Sequence, residues 1–143
     1  MQIRLASELD LDVLVNLFDD YRQSLGFKSE PKKCRNFVKT RLVENDSMIL
    51  IALEDSEALG FVQLYPSYSS LLLKSVWYFD DVFVEDKFRG KGIATELINK
   101  AKALALGTEV LLVKRTKVVN NEADQTLTNM TETEGMYFYH SDL

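Results

Sequence analysis

Residues 76–107 read VWYFDDVFVEDKFRGKGIATELINKAKALALG, and this stretch carries the strongest structural signal in the chain. Its first part, residues 76–84, is rich in aromatic and β-branched side chains, which predicts a strand. From Ile93 onward the apolar residues recur every three or four positions, which predicts an amphipathic helix that ends near Gly107. The chain therefore passes from a strand through the turn at residues 89–94 directly into a helix.

The rest of the chain predicts the element order β, α, α, a β-meander, α, β, α, β, which is typical of a mixed α/β (α+β) domain with a largely antiparallel sheet. Ser7, with Asp10 three residues later, marks the start of the first helix, and Pro31 suits the first turn of the second. Gly60 lies inside a predicted strand and indicates a bulge or a close approach of two backbones. Strands are predicted at residues 3–6, 48–53, 58–65, 110–113 and 136–139, a loop at 66–70, and a weak helix at 121–130.

The turn at residues 89–94, RGKGIA, has the composition of a phosphate-binding site. Gly90 and Gly92 permit backbone conformations that other residues disfavour, and they let a ligand approach the chain. The start of the helix leaves N–H groups without partners at the positive end of its dipole, and Arg89 and Lys91 add charge. The alternative interpretation is a flexible glycine-containing loop before an amphipathic helix, which binds no ligand.

Two other phosphate motifs do not fit this turn. A P-loop requires lysine and then serine or threonine after its last glycine, whereas Gly92 is followed by Ile93. A dinucleotide fingerprint requires a third small residue where Thr95 stands.

Residues 89–94 match in full the signature [QR]-x-x-G-x-[GA], and through it the chain resembles the GCN5-related N-acetyltransferase (GNAT) family, as a small bacterial-type member. In that family the signature binds the coenzyme pyrophosphate. The resemblance extends over nearly the whole chain, at residues 3–6, 60–65, 81–84 and 138–140 and at Asn120 with Ala123.

The resemblance implies one domain over residues 1–143, with a central, mostly antiparallel sheet flanked by helices. It also implies acetyl-CoA as co-substrate, whose pantetheine arm pairs with the backbone of the strand before the turn while the pyrophosphate lies on the N–H groups of the turn. The implied coenzyme-binding residues are Val82, Phe83, Val84, Arg89, Gly90, Lys91, Gly92, Ile93, Ala94, Thr95 and Asn120.

The implied reaction is direct transfer of an acetyl group from a thioester to a primary amine on a small molecule or a protein. The amine needs a proton acceptor, and the developing oxyanion needs a donor, for which a backbone N–H near Phe83 or Val84 is the candidate. Asp81 is the candidate base. Since successive side chains of a strand point to opposite faces, only one of Asp80 and Asp81 is expected to face a given cleft, beside which Tyr65 also lies.

The tyrosine that usually protonates the leaving thiolate in this family has no counterpart in the chain. The three registers that can be tried place Leu127, Thr128 or Thr131 at its position. Tyr137 and Tyr139 are candidate substitutes, and departure through water is another route. A module that binds acetyl-CoA without robust catalysis, as a sensor or partner subunit, is therefore the second function class, and a structural domain without a ligand is the third.

The amino-acid composition argues against several other classes of function. The chain has 143 residues with 17 Lys and Arg against 22 Asp and Glu, and the resulting net charge of −5 argues against a nucleic-acid binder. One cysteine, Cys34, excludes an internal disulfide, and with the single histidine, His140, it forms no metal-binding pattern. The N-terminal segment is too polar for a signal peptide or membrane span, so we expect a cytoplasmic protein. Homodimers are common in the family it resembles.

Overall fold

The structure, a computed structural model, describes residues 1–70, 73–108, 111–114 and 136–138, the last two as backbone. The described strands are β1 (Gln2–Leu5), β2 (Met48–Glu54), β3 (Glu57–Ser69), β4 (Lys74–Val84), β5 (Leu111–Lys114) and β6 (Met136–Phe138). The described α-helices are α1 (Leu11–Ser24), α2 (Pro31–Glu44) and α3 (Ile93–Gly107). The helix predicted at residues 121–130 lies outside the described residues.

The strands form one sheet in chain order, β1-β2-β3-β4-β5-β6. Neighbours from β1 to β4 are antiparallel, whereas β5 runs parallel to both β4 and β6. Helix α3 packs on one face of the sheet, and α1 and α2 pack on the other, so each face has its own apolar core. The predicted mixed fold with a mostly antiparallel sheet is confirmed.

The first two helices begin where the sequence predicts, and the first also ends there. The backbone N–H of Ser7 donates to the Asp10 carboxylate at 2.8 Å, and Arg4 donates two further hydrogen bonds to the same group. Gly26 follows α1 with a φ of 94°, a conformation that favours glycine. Pro31 is the first residue of α2, where its missing N–H costs nothing.

The loop predicted at residues 66–70 is wrong for most of its length, because β3 continues to Ser69 and pairs with the start of β4. Pro66 lies opposite Trp77 in this extension. The pairing of β3 with β2 ends at Leu64, so Pro66 occupies an edge of the described sheet where a missing N–H breaks no ladder.

Gly60 brings β3 close to the end of β4, as its position predicts. A Cβ atom added to Gly60 would lie 2.5 Å from the Phe83 carbonyl oxygen and 3.0 Å from the Val84 Cα. The register between β2 and β3 also shifts between Ala52 and Leu53 beside it. Both the close approach and the bulge are confirmed, and they set the position of the strand end that leads into the turn.

Gly60→Ala should therefore lower the free energy of unfolding by about 1–3 kcal/mol, because the new methyl group overlaps backbone atoms that cannot yield easily. Urea unfolding of the purified protein measures this change. The matched control is Gly107→Ala, whose added Cβ meets nothing within 4 Å. Equal losses of stability in the two variants would contradict this account of the packing.

Candidate active site

The turn between β4 and α3 exposes the start of the helix. Gly90 and Gly92 have φ values of 78° and 80°, in the left-handed region. The Glu96 N–H donates to the Gly92 carbonyl at 3.0 Å, so the backbone hydrogen bonds within the helix begin at Glu96. The N–H groups before Glu96 take no part in these bonds. Ile93 and Ala94 are buried in the apolar core between α3 and the sheet, and this packing fixes the start of the helix relative to β4.

Arg89 and Lys91, both predicted to bind the coenzyme, are placed differently. The Arg89 Nε donates to the Val84 carbonyl at 2.8 Å, and its guanidinium lies 2.9 Å from the Asp86 carboxylate. Arg89 therefore ties the turn to the end of β4. Lys91 is exposed, with its ammonium 5.8 Å from the centre of the Phe88 ring, and it is available to a phosphate in solution.

The end of β4 has one edge that β5 does not cover. In the part of the chain that the structure describes, β5 pairs with β4 only from Val76 to Phe79. On the other edge, the Glu85 N–H donates to the Leu59 carbonyl at 2.9 Å, so Glu85 faces β3. Because backbone direction alternates along a strand, Phe83 also faces β3.

Val82 and Val84 consequently turn their backbone groups toward the open edge. Phe83 lies opposite Phe61 of β3, and its backbone groups are directed toward that strand, so its predicted contact with the coenzyme stays a prediction. The Val84 carbonyl already accepts the Arg89 side chain. Within the part of the chain that the structure describes, the N–H groups of Val82 and Val84 and the carbonyl of Val82 face this uncovered edge.

Strand β4 contains an extra residue at Asp80. Gln63 lies opposite Asp81 and Leu64 lies opposite Phe79, so Asp80 has no residue opposite it. This β-bulge interrupts the alternation of side chains, and Phe79 and Val82 both face the α3 core. Asp80 and Asp81 therefore share the other face, and the prediction that only one of them faces a given cleft is wrong.

Both carboxylates line a cavity of about 470 Å³ between the bulge and the helices α1 and α2. This volume suits a small ligand. The remaining lining residues are Phe18, Tyr21, Arg22, Glu30, Lys33, Cys34, Phe37 and Tyr65. A second concavity of about 620 Å³ lies along β1 and contains none of the residues predicted to act on a substrate.

Asp81 has the electrostatic properties of a base near neutral pH. Burial, the largest cause, and the charge of the neighbouring Asp80 together raise the pKa of its carboxyl to about 6, against the lowering effect of a hydrogen bond from Tyr21. The Tyr21 hydroxyl donates that bond to Asp81 Oδ1 at 2.9 Å. The carboxyl is therefore mostly ionised at pH 7, with a proton affinity that suits general base catalysis.

Tyr65 lies on the same face, with its orientation fixed by a buried amide. The Gln63 side chain, which is fully buried, donates to the Tyr65 hydroxyl at 2.8 Å. Burial raises the pKa of Tyr65, so its phenol is neutral at physiological pH.

The helical wall of the cavity depends on a buried carboxylate in α1. Asp19 accepts hydrogen bonds from the Ser29 hydroxyl and from the Glu30 N–H at 2.7 Å, which holds the start of α2 against α1. The Glu30 carboxylate in turn lies 3.2 Å from Arg22. Burial raises the pKa of the Cys34 thiol, so this cysteine is a poor nucleophile and belongs to the wall.

The structure leaves part of the predicted site undescribed. Asn120 and Tyr139 lie outside the described residues, and Tyr137 is described only as backbone of β6. Sequence reasoning missed Tyr21. The available signal was its helical spacing from Leu14 and Phe18, which placed a phenol on the buried face of α1.

Within the described residues, no group of three or more histidine, cysteine, aspartate or glutamate side chains could hold a metal ion. The same part of the chain contains no helix that is long and apolar enough to cross a membrane.

Among the described residues, the uncovered end of β4 leads through a two-glycine turn into α3, and a cavity with an ionisable carboxylate lies beside it. This is the arrangement that the sequence predicts for an acetyltransferase that uses acetyl-CoA. Residues 12–127 match the acetyltransferase (GNAT) family. The chain belongs to this family, whose members depend on acetyl-CoA.

The chain is 38% identical over 105 residues to YhfO, an uncharacterized N-acetyltransferase of Bacillus subtilis. The aligned region covers 73% of this chain and 70% of YhfO. It is also 38% identical over 103 residues to a probable acetyltransferase of Haemophilus influenzae, and this alignment covers 71% of this chain and 70% of that protein.

Solved structures have the same fold. The crystal structure of a probable acetyltransferase matches with a TM-score of 0.78 and 40% identity, over 87% of this chain and 84% of that one. A predicted acetyltransferase from Clostridium acetobutylicum, crystallised with acetyl-CoA, matches with a TM-score of 0.70 over 91% of this chain and 89% of that one. Its 16% identity shows the fold alone.

The turn provides a direct test of coenzyme binding. Gly92→Glu should abolish binding of acetyl-CoA, because the glutamate places bulk and negative charge where a pyrophosphate would lie and also opposes the left-handed backbone. Isothermal titration calorimetry measures the affinity, after circular dichroism has shown that the variant is folded. The matched control is Gly107→Glu at the exposed far end of α3, which should bind as the wild type does. Unchanged affinity in Gly92→Glu would remove the turn from the site.

Proposed function

We propose that the protein transfers the acetyl group of acetyl-CoA to a primary amine, on a small molecule or a protein, that enters the cavity between α1, α2 and β4. The observation that carries this proposal is the bulge at Asp80, which turns two carboxylates into the cavity beside the open edge of β4. An acidic cavity floor attracts a cationic amine, and a base with a pKa of about 6 can neutralise it.

The coenzyme lies along the open edge of β4 and across the turn. The N–H and carbonyl groups of Val82 and the N–H of Val84 pair with the pantetheine arm as an added strand would. The N–H groups of residues 90–95, at the positive end of α3, hold the pyrophosphate, and Lys91 adds a charge-assisted contact. Arg89 acts mainly through the Val84 carbonyl, since its guanidinium is engaged within the protein.

The reaction has three parts. Asp81 takes a proton from the ammonium of the acceptor, and the amine lone pair then attacks the thioester carbon. The N–H of Val84, rather than that of Phe83, donates to the oxyanion that forms. As the C–S bond breaks, the nitrogen of the new C–N bond releases its second proton to water and becomes the neutral amide. The departing thiolate takes a proton from Tyr137, Tyr139 or water, and water restores the proton of a tyrosine that has donated.

A module that binds acetyl-CoA without robust catalysis is the second candidate. The observation that favours it is the absence of tyrosine from the position that Leu127, Thr128 or Thr131 occupies. An assay of free coenzyme A release separates the two candidates when it is run with ethanolamine, glycinamide, lysine and a short peptide with a free N-terminus. Turnover with any of these amines supports an enzyme, whereas tight binding of acetyl-CoA without turnover supports the module.

The pH dependence of the reaction tests the base. With the amine that turns over fastest, kcat/KM should rise with pH through about 6, because the Asp81 carboxyl loses its proton there. Asp81→Asn should lower kcat by about 10²–10⁴-fold and remove this acidic limb, while the affinity for acetyl-CoA stays unchanged.

The control for this prediction is Asp12→Asn, a carboxylate of α1 whose side chain is 85% exposed. It should keep the rate and the acidic limb of the wild type. Wild-type turnover in Asp81→Asn would show that another group, or water, takes the proton.

A further inference from the structure

The hydroxyl group that contacts Asp81 comes from α1, and aromatic rings determine its position. The Tyr21 ring meets Phe61 edge-on at 5.7 Å, with an interplanar angle of 88°, and lies 5.7 Å from Phe83. Phe61 in turn stacks on Phe18 at 4.3 Å. The direction of the Tyr21 hydroxyl is therefore set by packing and does not depend on the bond to Asp81.

The direction of the hydrogen bond between Tyr21 and Asp81 is also determined. A phenol has one proton to donate, and burial, together with the charge of Asp81, raises the pKa of Tyr21 far above the physiological range. Tyr21 is therefore neutral whenever the enzyme works, and it donates to Asp81 Oδ1 at 2.9 Å. One oxygen of the carboxylate accepts this bond, and among the described residues the other oxygen has no hydrogen bond, so it can receive a proton from the cavity.

We propose that Tyr21 is a positioning residue for the acetyl transfer, which holds the Asp81 carboxylate by Oδ1 so that Oδ2 meets the amine of the acceptor. This inference rests on the proposed function, in which Asp81 is the base. It adds a requirement that the family comparison does not supply, since it links α1 to the chemistry on β4.

The surrounding charges explain why such a donor is needed. Burial and the charge of Asp80, the neighbour on β4, both favour the protonated form of Asp81. Tyr65 on β3 is neutral, and Arg22 and Lys33, the cations among the described lining residues of the cavity, are paired with Glu30. Tyr21 is the group whose hydrogen bond opposes protonation of Asp81.

The decisive variant is Tyr21→Phe, which keeps the ring and removes the hydroxyl. Carboxyl ¹³C NMR of the aspartate-labelled protein follows the titration of Asp81, and Asp81→Asn assigns the signal. The midpoint should move from about 6 in the wild type to about 7 in Tyr21→Phe, since a hydrogen bond to a charged group is worth about one pH unit. The acidic limb of kcat/KM should move by the same amount, and the affinity for acetyl-CoA should not change.

The matched control is Tyr65→Phe, which removes a phenol from the same cavity that makes no hydrogen bond to Asp81. It should leave the Asp81 midpoint where it is in the wild type. Circular dichroism checks that both variants are folded, and the NMR titration needs no acceptor.

The outcomes separate this inference from the proposed function. An unmoved midpoint in Tyr21→Phe overturns the inference while the loss of turnover in Asp81→Asn still supports Asp81 as the base. A midpoint that moves without the acidic limb of the rate also overturns it, because the carboxylate held by Tyr21 would then not be the base. Wild-type turnover in Asp81→Asn refutes the base itself.

Discussion

The extra residue at Asp80 in β4 is the constraint on which the rest of the site depends. Strict alternation of side chains from Phe79, which faces the α3 core, would instead turn Asp81 into that core, where a carboxylate would be costly to bury. With the extra residue, both carboxylates face α1 and α2, and the apolar residues Phe79 and Val82 keep the core continuous. One inserted residue thus creates an acidic cavity floor with no loss of packing on the other face.

The same strand also sets the geometry of the coenzyme site. Within the described residues, its pairing with β5 extends as far as Phe79, directly before the bulge, and its pairing with β3 continues to the strand end. The close approach at Gly60 and the Arg89 contact to Val84 hold that end in place. In the proposed function, the thioester and the amine meet at the bulge, and the pyrophosphate lies at the turn beyond it.

Helix α1 connects these parts through four consecutive residues. Asp19 holds the start of α2, Tyr21 holds Asp81, and Arg22 contacts Glu30 in the cavity wall. Asp20 lies against Glu85 at the end of β4, where burial and the Asp20 carboxylate raise the pKa of Glu85. The protonated Glu85 carboxyl can then donate a hydrogen bond to Asp20, which joins α1 to the strand that leads into the turn.

The sequence was sufficient to predict the features that local residues determine. Two glycines and a helical apolar pattern define the turn at residues 89–94. A glycine inside a strand, Gly60, indicates the close approach of β3 to the backbone of β4. The bulge could not be predicted, because it depends on how Gln63 and Leu64 of another strand pair with β4. The Tyr21 contact to Asp81 joins residues 60 positions apart, and it too follows from packing.

The most direct test of the account is backbone amide hydrogen exchange, with and without saturating acetyl-CoA. The account predicts that the N–H groups of Val82 and Val84, on the open edge of β4, exchange rapidly in the free protein and become protected in the complex. Those of Phe83 and Glu85, which face β3, should be protected in both states. Equal protection of all four groups without the coenzyme, or no new protection of Val82 and Val84 with it, would contradict the proposed mode of binding.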